Sequence, residues 1–161
     1  MAVVNAYSDQ IVTVDRSSPN AKVENDVWSG KLRFAYFTVT QVGAGDATSI
    51  QYLAKLPAGR VRIIRDTSRL ATSAFGASRT LDVGLSAYTD KSGTTVAAAP
   101  TALASALNVA AAATNNMAAA AGADPTISIE SRSGVTVQSV VAGGTIPDAA
   151  TLKGYIAYIH E

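Results

Sequence analysis

Three apolar runs between Thr48 and Tyr88 constrain this chain more than any other feature: TSIQYLAKL, RVRIIRDTSRL and SRTLDVGLSAY, separated by Pro57-Ala58-Gly59 and Ala74-Phe75-Gly76-Ala77. In the first run Ile50, Tyr52 and Leu56 alternate with Gln51 and Lys55; in the third, Leu81, Val83 and Leu85 alternate with Asp82, Gly84 and Ser86. A period of two sends successive side chains to opposite faces of a strand, so each run predicts one face on a core and one toward water or a partner. At Leu56–Arg60, Pro presets φ for a turn and Gly supplies a left-handed position, which predicts a hairpin there. Together the three runs predict a continuous antiparallel meander at the centre of the fold.

Lys31–Val42 is rich in the aromatic and β-branched residues that suit a pleated surface. Leu32, Phe34 and Tyr36 lie on one face and Ala35, Phe37 and Val39 on the other, so this strand is expected to be central or covered by a partner. Gly43-Ala44-Gly45-Asp46 closes it as a hairpin turn. Beyond Asp124-Pro125, Thr126–Arg132 and Val135–Ala142 alternate on either side of Ser133-Gly134, which predicts a second hairpin. The cluster Gly143–Asp148 then turns the chain into a last strand over Leu152–Ile159, with Tyr155 and Tyr158 on opposite faces. The spacing predicts an all-β fold over residues 31–161, an antiparallel β-sandwich that is jelly-roll-like. Residues 1–30 lack sustained periodicity and are expected to form an N-terminal arm, with a short strand at Ile11–Val14. Trp28, the only tryptophan, is expected to cap the core where the arm enters the domain.

An Ala-rich insertion interrupts this pattern. Ser92–Ala123 carries no charged residue, and its length would allow a membrane span. Pro100, Asn108, Asn115 and Asn116 break it, however, and alanine contributes too little apolar surface, so no transmembrane helix is expected. Two conformations stay open: a short helix capped by Thr101 and running to Leu107, or a long uncharged excursion packed on the sheets or on a neighbouring subunit. Asn115-Asn116 predicts a turn before Met117. Small uncharged residues desolvate cheaply and let backbones approach, so a homo-oligomer is expected, with Ala111 and Ala112 at its interface together with the two-faced strand 31–42.

Thirteen basic and twelve acidic residues leave a net charge of +1, which is no footprint for nucleic acid or an anionic membrane. Charged residues make up 16% of the chain, against about 25% in typical domains, so part of the surface is expected to face a protein. The chain has no cysteine, and its one histidine, His160, stands next to the C-terminus, where a solvated side chain is a better account than a catalytic or metal-binding one. Asp46, Asp66, Asp82 and Asp90 are expected to be isolated turn carboxylates, since nothing in the sequence pairs them as a glycosidase would need. Gly43–Asp46 lacks the lysine and following helix of a phosphate loop, and DKSGTTVA from Asp90 lacks the spaced carboxylates of a calcium loop. No enzymatic activity, cofactor or metal is therefore expected. Arg60, Arg62, Arg65 and Arg69 follow one another closely, joined by Arg79 beyond the next bend. The alternation points Arg60 and Arg62 away from Val61 and Ile63, into solvent or toward a protein neighbour, because the aromatic interleaving of a nucleic-acid platform is missing.

At KLPAGRVRII, SAFGASRTLDVGLSAYTDKSG and TALASALNVAAAA the sequence resembles small virion structural proteins of tailed bacteriophages, of the kind that decorate or cement the capsid. The resemblance extends over about Gly45–Ala113 and lies in strand-and-turn texture. It implies a β-rich homotrimer on the outer surface of the head, assembled in the host cytoplasm, with the major capsid protein as partner and no catalytic residues. Arg60 and Arg62 would then be candidate capsid contacts. A phage tail, fibre or host-receptor module would use the same architecture, and a small carbohydrate-binding domain or glycosidase is the enzyme-side rival. Exposed aromatics on one sheet face would favour sugar; an apolar, charge-free face would favour a shell.

Overall fold

The computed structural model describes residues 5–7, 31–117 and 124–161. The expected strand at 11–14 and the role given to Trp28 lie outside the described residues. Within them the elements are β1 (Ala6–Tyr7), β2 (Leu32–Thr40), β3 (Ile50–Leu56), β4 (Gly59–Thr72), β5 (Thr80–Leu85), β6 (Tyr88–Thr89), β7 (Thr95–Val96), β8 (Ala99–Asn108), β9 (Ala113–Asn116), β10 (Thr126–Ser131), β11 (Val135–Ala142) and β12 (Thr151–His160). All described elements are strands, as the alternating runs predicted.

The strands form two main sheets. One has the order β1-β3-β11-β5-β8; the other has the order β10-β4-β12-β2, with β9 also paired to β4; β6 and β7 make a separate small hairpin. The antiparallel pairs are nested. β2 pairs with β12, β3 with β11, β4 with β10, and β5 with β8. Successive members of that nest belong alternately to one sheet and the other. The two sheets enclose a single core in which Phe37, Leu53, Ile63, Leu70, Phe75, Leu103 and Ile156 are buried. Interdigitated inner faces of this kind are how two half-apolar sheets remove their alternating side chains from water.

This arrangement corrects the expected meander. β3, β4 and β5 do not pair with one another, and Leu56–Arg60, Gly43–Asp46 and Ser133-Gly134 are crossings between sheets instead of hairpins. The turn chemistry itself is present: Gly59 has φ 101°, Gly43 74° and Gly134 86°. A Pro/Gly reversal states that the chain turns back. Whether the two arms then lie edge to edge or face to face depends on rotation about the strand axis, which is settled by what each arm can pair with elsewhere.

Two further expectations change. The stretch from Thr101 to Leu107 is part of strand β8, and Asn115-Asn116 ends strand β9 where a turn was expected. Alanine's helix preference is worth a few tenths of a kcal/mol per residue and yields to pairing with β5 and burial of Leu103 and Ala104. Gln51 points inward and is fully buried, because the β3–β11 register shifts between Val137 and Gln138 and moves the alternation by one. There its amide donates to Gln41 Oε1 (3.3 Å) and accepts from the Ser139 hydroxyl (3.3 Å), while Gln41 donates to the Gly43 carbonyl (3.2 Å). The polar side chains are thus satisfied as a chain across the sandwich end.

Candidate interaction surface

The outward face of the β10-β4-β12-β2 sheet carries most of the unusual chemistry. Inward-facing Ala35, Phe37 and Val39 of β2 are buried, whereas Leu32, Phe34 and Tyr36 are 45%, 40% and 67% exposed. β2 is the last described strand of its sheet, so the two-faced strand is not central and its second apolar face is open. Register then builds a patch across strands. Tyr36 stands opposite Tyr155, and Tyr155 opposite Arg69. Phe34 and Tyr155 meet edge to face at 5.3 Å, Tyr36 and Tyr155 at 5.6 Å, and Phe34 and Tyr36 are tilted at 6.1 Å. These centroid distances and angles are those in which aromatic quadrupoles attract.

Next along the face, Thr38 pairs with Lys153. Between this row and the tyrosines runs a shallow depression of about 410 Å³, floored by the backbone of Phe37 and Gly154. At the other end, Leu32 pairs with Ile159 and Ile159 with Arg62. Arg60 and Arg62 therefore lie on the face opposite buried Val61 and Ile63, as the alternation predicted. Both have an internal partner: Glu161 meets Arg60 Nε at 3.0 Å and Arg62 Nη2 at 2.6 Å. The sequence separation of Glu161 hid this from a local reading. Arg69 donates from Nε to Asn116 Oδ1 at 3.1 Å, and Arg65 turns to the sandwich flank, donating to the Leu103 carbonyl at 3.1 Å.

Ala111 and Ala112 are exposed in the bend between β8 and β9. They lie at the sandwich edge opposite β2, since β8 ends one sheet and β9 flanks β4 in the other. The two segments expected to form the oligomer interface are thus on opposite flanks.

The aspartates are not brought together as a reactive pair. Asp46 accepts from the Thr48 hydroxyl (2.7 Å) and backbone N–H (2.9 Å), and Asp90 from the Ser92 hydroxyl (2.6 Å) and Thr94 N–H (2.8 Å). Each cap holds its carboxyl below the usual range, Asp46 chiefly through the Thr48 hydroxyl and Asp90 chiefly through that of Ser92. Asp82 accepts from Ala106 N–H at 2.7 Å, which serves the irregular β5–β8 seam. His160 lies in β12 and is half-buried, with its Nε2 2.9 Å from the Ala58 carbonyl. Among the described residues no cluster of three or more His, Asp or Glu could hold a metal ion, and no helix is long and apolar enough to cross a membrane.

No protein-family profile matches the chain, and no curated protein matches it in sequence. Among solved structures, the chain is similar to a chain described as "Cyanophage Pam1 capsid asymmetric unit", with a TM-score of 0.51 and 16% identity. The match covers 91% of this chain and 99% of that one, so the similarity is one of whole folds between chains of nearly equal length.

Proposed function

We propose that this chain is a phage capsid decoration protein, which binds the outer surface of the head and stabilises the shell by bridging major capsid protein subunits. The observation that carries the reading is the end-to-end fold similarity to a chain of a cyanophage capsid asymmetric unit. The nested strand pairs support a jelly-roll reading of the sandwich. A clamp of this kind needs no active site, cofactor or metal. It binds the assembled shell in preference to free subunits, so its binding free energy adds to that of the intact particle.

The flanks favour a ring. An interface between opposite edges, the Ala111–Ala112 bend of one copy against the β2 side of the next, is heterologous and closes when the rotation permits, as in the proposed homotrimer. Three linked copies would engage several capsid subunits at once, and effective concentration would multiply modest contacts. The test is particle endurance: heads lacking the protein should lose their genome at lower temperature or milder osmotic shock, and adding it back should restore them. Equal endurance would refute the reading. The exposed cluster of Phe34, Tyr36 and Tyr155 favours a second reading, a tail, fibre or receptor module that stacks sugar rings. Retention on immobilised host polysaccharide would support it.

A further inference from the structure

We infer that the outward face of β2, β12 and β4 is the surface that docks on the shell, and that it recognises an acidic protein surface; this rests on the decoration reading. Its composition is that of an interface centre. Tyr36, Phe34 and Leu32 are exposed apolar side chains on one strand, backed by Tyr155 and Ile159 on the next. Tyrosine and arginine dominate binding hot spots because they combine large contact area with directed polar ends.

Charge selects the partner. Arg62, Arg69 and Lys153 lie in the paired rows of this face; β2 and β12 carry no carboxylate, and the one carboxylate of β4, Asp66, is exposed in the stretch 65–68 that has no partner on β12. Arg60 and Arg62 share one carboxylate, Glu161, at the end of the face. Lys153 is exposed and makes no ion pair among the described residues. Two copies meeting through this face would bring like charges together, which disfavours self-association here and favours an acidic neighbour. Sugar is less well served. The depression beside Tyr36 and Tyr155 is lined by Thr38 and Lys153 with no carboxylate or amide side chain to grip paired hydroxyls.

Size argues in the same direction. Strands about 4.8 Å apart and same-face rows about 7 Å apart give a footprint on the order of 400 Å². A standard interface uses about 800 Å² per partner. One copy would therefore bind weakly, and firm attachment needs several linked copies.

The test is co-sedimentation of full-length variants with purified heads, at matched concentration and with folding checked by unfolding curves. Wild type should bind, Tyr36→Ala should bind about tenfold less, and Arg69→Glu with Lys153→Glu should fall further and lose most salt dependence. Thr136→Lys, on the outward face of the other sheet, should bind like wild type. If wild type binds and the Tyr36 and Arg69/Lys153 variants bind equally well, this face is not the docking surface although the decoration reading stands. Failure of wild type itself to bind overturns the decoration reading and this assignment with it. Tyr36-dependent capture by a polysaccharide in place of heads overturns the protein partner.

Discussion

Ser68 offers a worked case of how the nested pairing is held. The β12–β4 register shifts between Tyr155 and Ala157, which leaves backbone groups there without ladder partners. Ser68 is fully buried at that irregularity; its hydroxyl donates to the Ile64 carbonyl at 2.8 Å and accepts from Ala157 N–H at 2.9 Å. Ser68→Ala removes little volume and no charge, but it strips a buried N–H of its acceptor. Leaving such a donor unpaired costs about 1–3 kcal/mol. In a chain of this size that is roughly 2–4 °C in Tm per kcal/mol. Urea unfolding at one fixed protein concentration would measure it, because oligomer formation makes apparent stability depend on concentration. Ser128→Ala, at an exposed site on β10, is the control and should stay within about 0.5 kcal/mol of wild type. A Ser68→Ala protein as stable as that control would refute the role given to the hydroxyl.

Gly84→Ala should destabilise strongly and loosen the β5–β8 seam, because a Cβ there would run into the backbone of Ala99 and Pro100; hydrogen exchange along β8 would report it. Asp46, Asp90 and Asp124 have carboxyls held below their ordinary value, chiefly by the Thr48 hydroxyl, the Ser92 hydroxyl and the Thr126 N–H. Their contribution is therefore present above about pH 4 and is lost as pH falls through the depressed folded values; Asp90→Asn should flatten that acid limb in a pH series of unfolding curves. Burial pushes the Tyr158 phenol up against the opposing pull of Arg33, so the corresponding stability is lost as pH rises beyond about 10, and Tyr158→Phe should remove that alkaline loss. Ala111→Asp should weaken homo-oligomers in sedimentation while leaving the unfolding curve of the separated chain unchanged.

Outside the Ala-rich stretch, strand positions were legible in the sequence and strand partners were not. Alternation placed Val61, Ile63, Leu81 and Val83 correctly on the core, because burial of one face acts residue by residue. Pairing depends on groups far apart, such as Leu32 with Ile159, and no local turn signal carries it. Gln51 shows the same limit at smaller scale: one extra residue in β3, Leu53, which has no partner on β11, reverses which side of that strand's first half is inside. In the Ala-rich stretch the local preference was helical and the tertiary pairing was not, so β8 could be found only from its partner. The candidate surface divides likewise. The outward set of Arg60 and Arg62 and the exposed apolar side of β2 follow from period two, whereas the contribution of Tyr155 and the Glu161 pairing needed the register.

If this chain decorates a phage head, electron cryo-imaging of purified particles of the phage that carries it would locate the protein there. The expected result is density of this sandwich on the outside of the head, spanning boundaries between major capsid protein subunits, with the Tyr36–Tyr155 face turned toward the shell. Density at the tail tip or fibres, with none on the head, would contradict it.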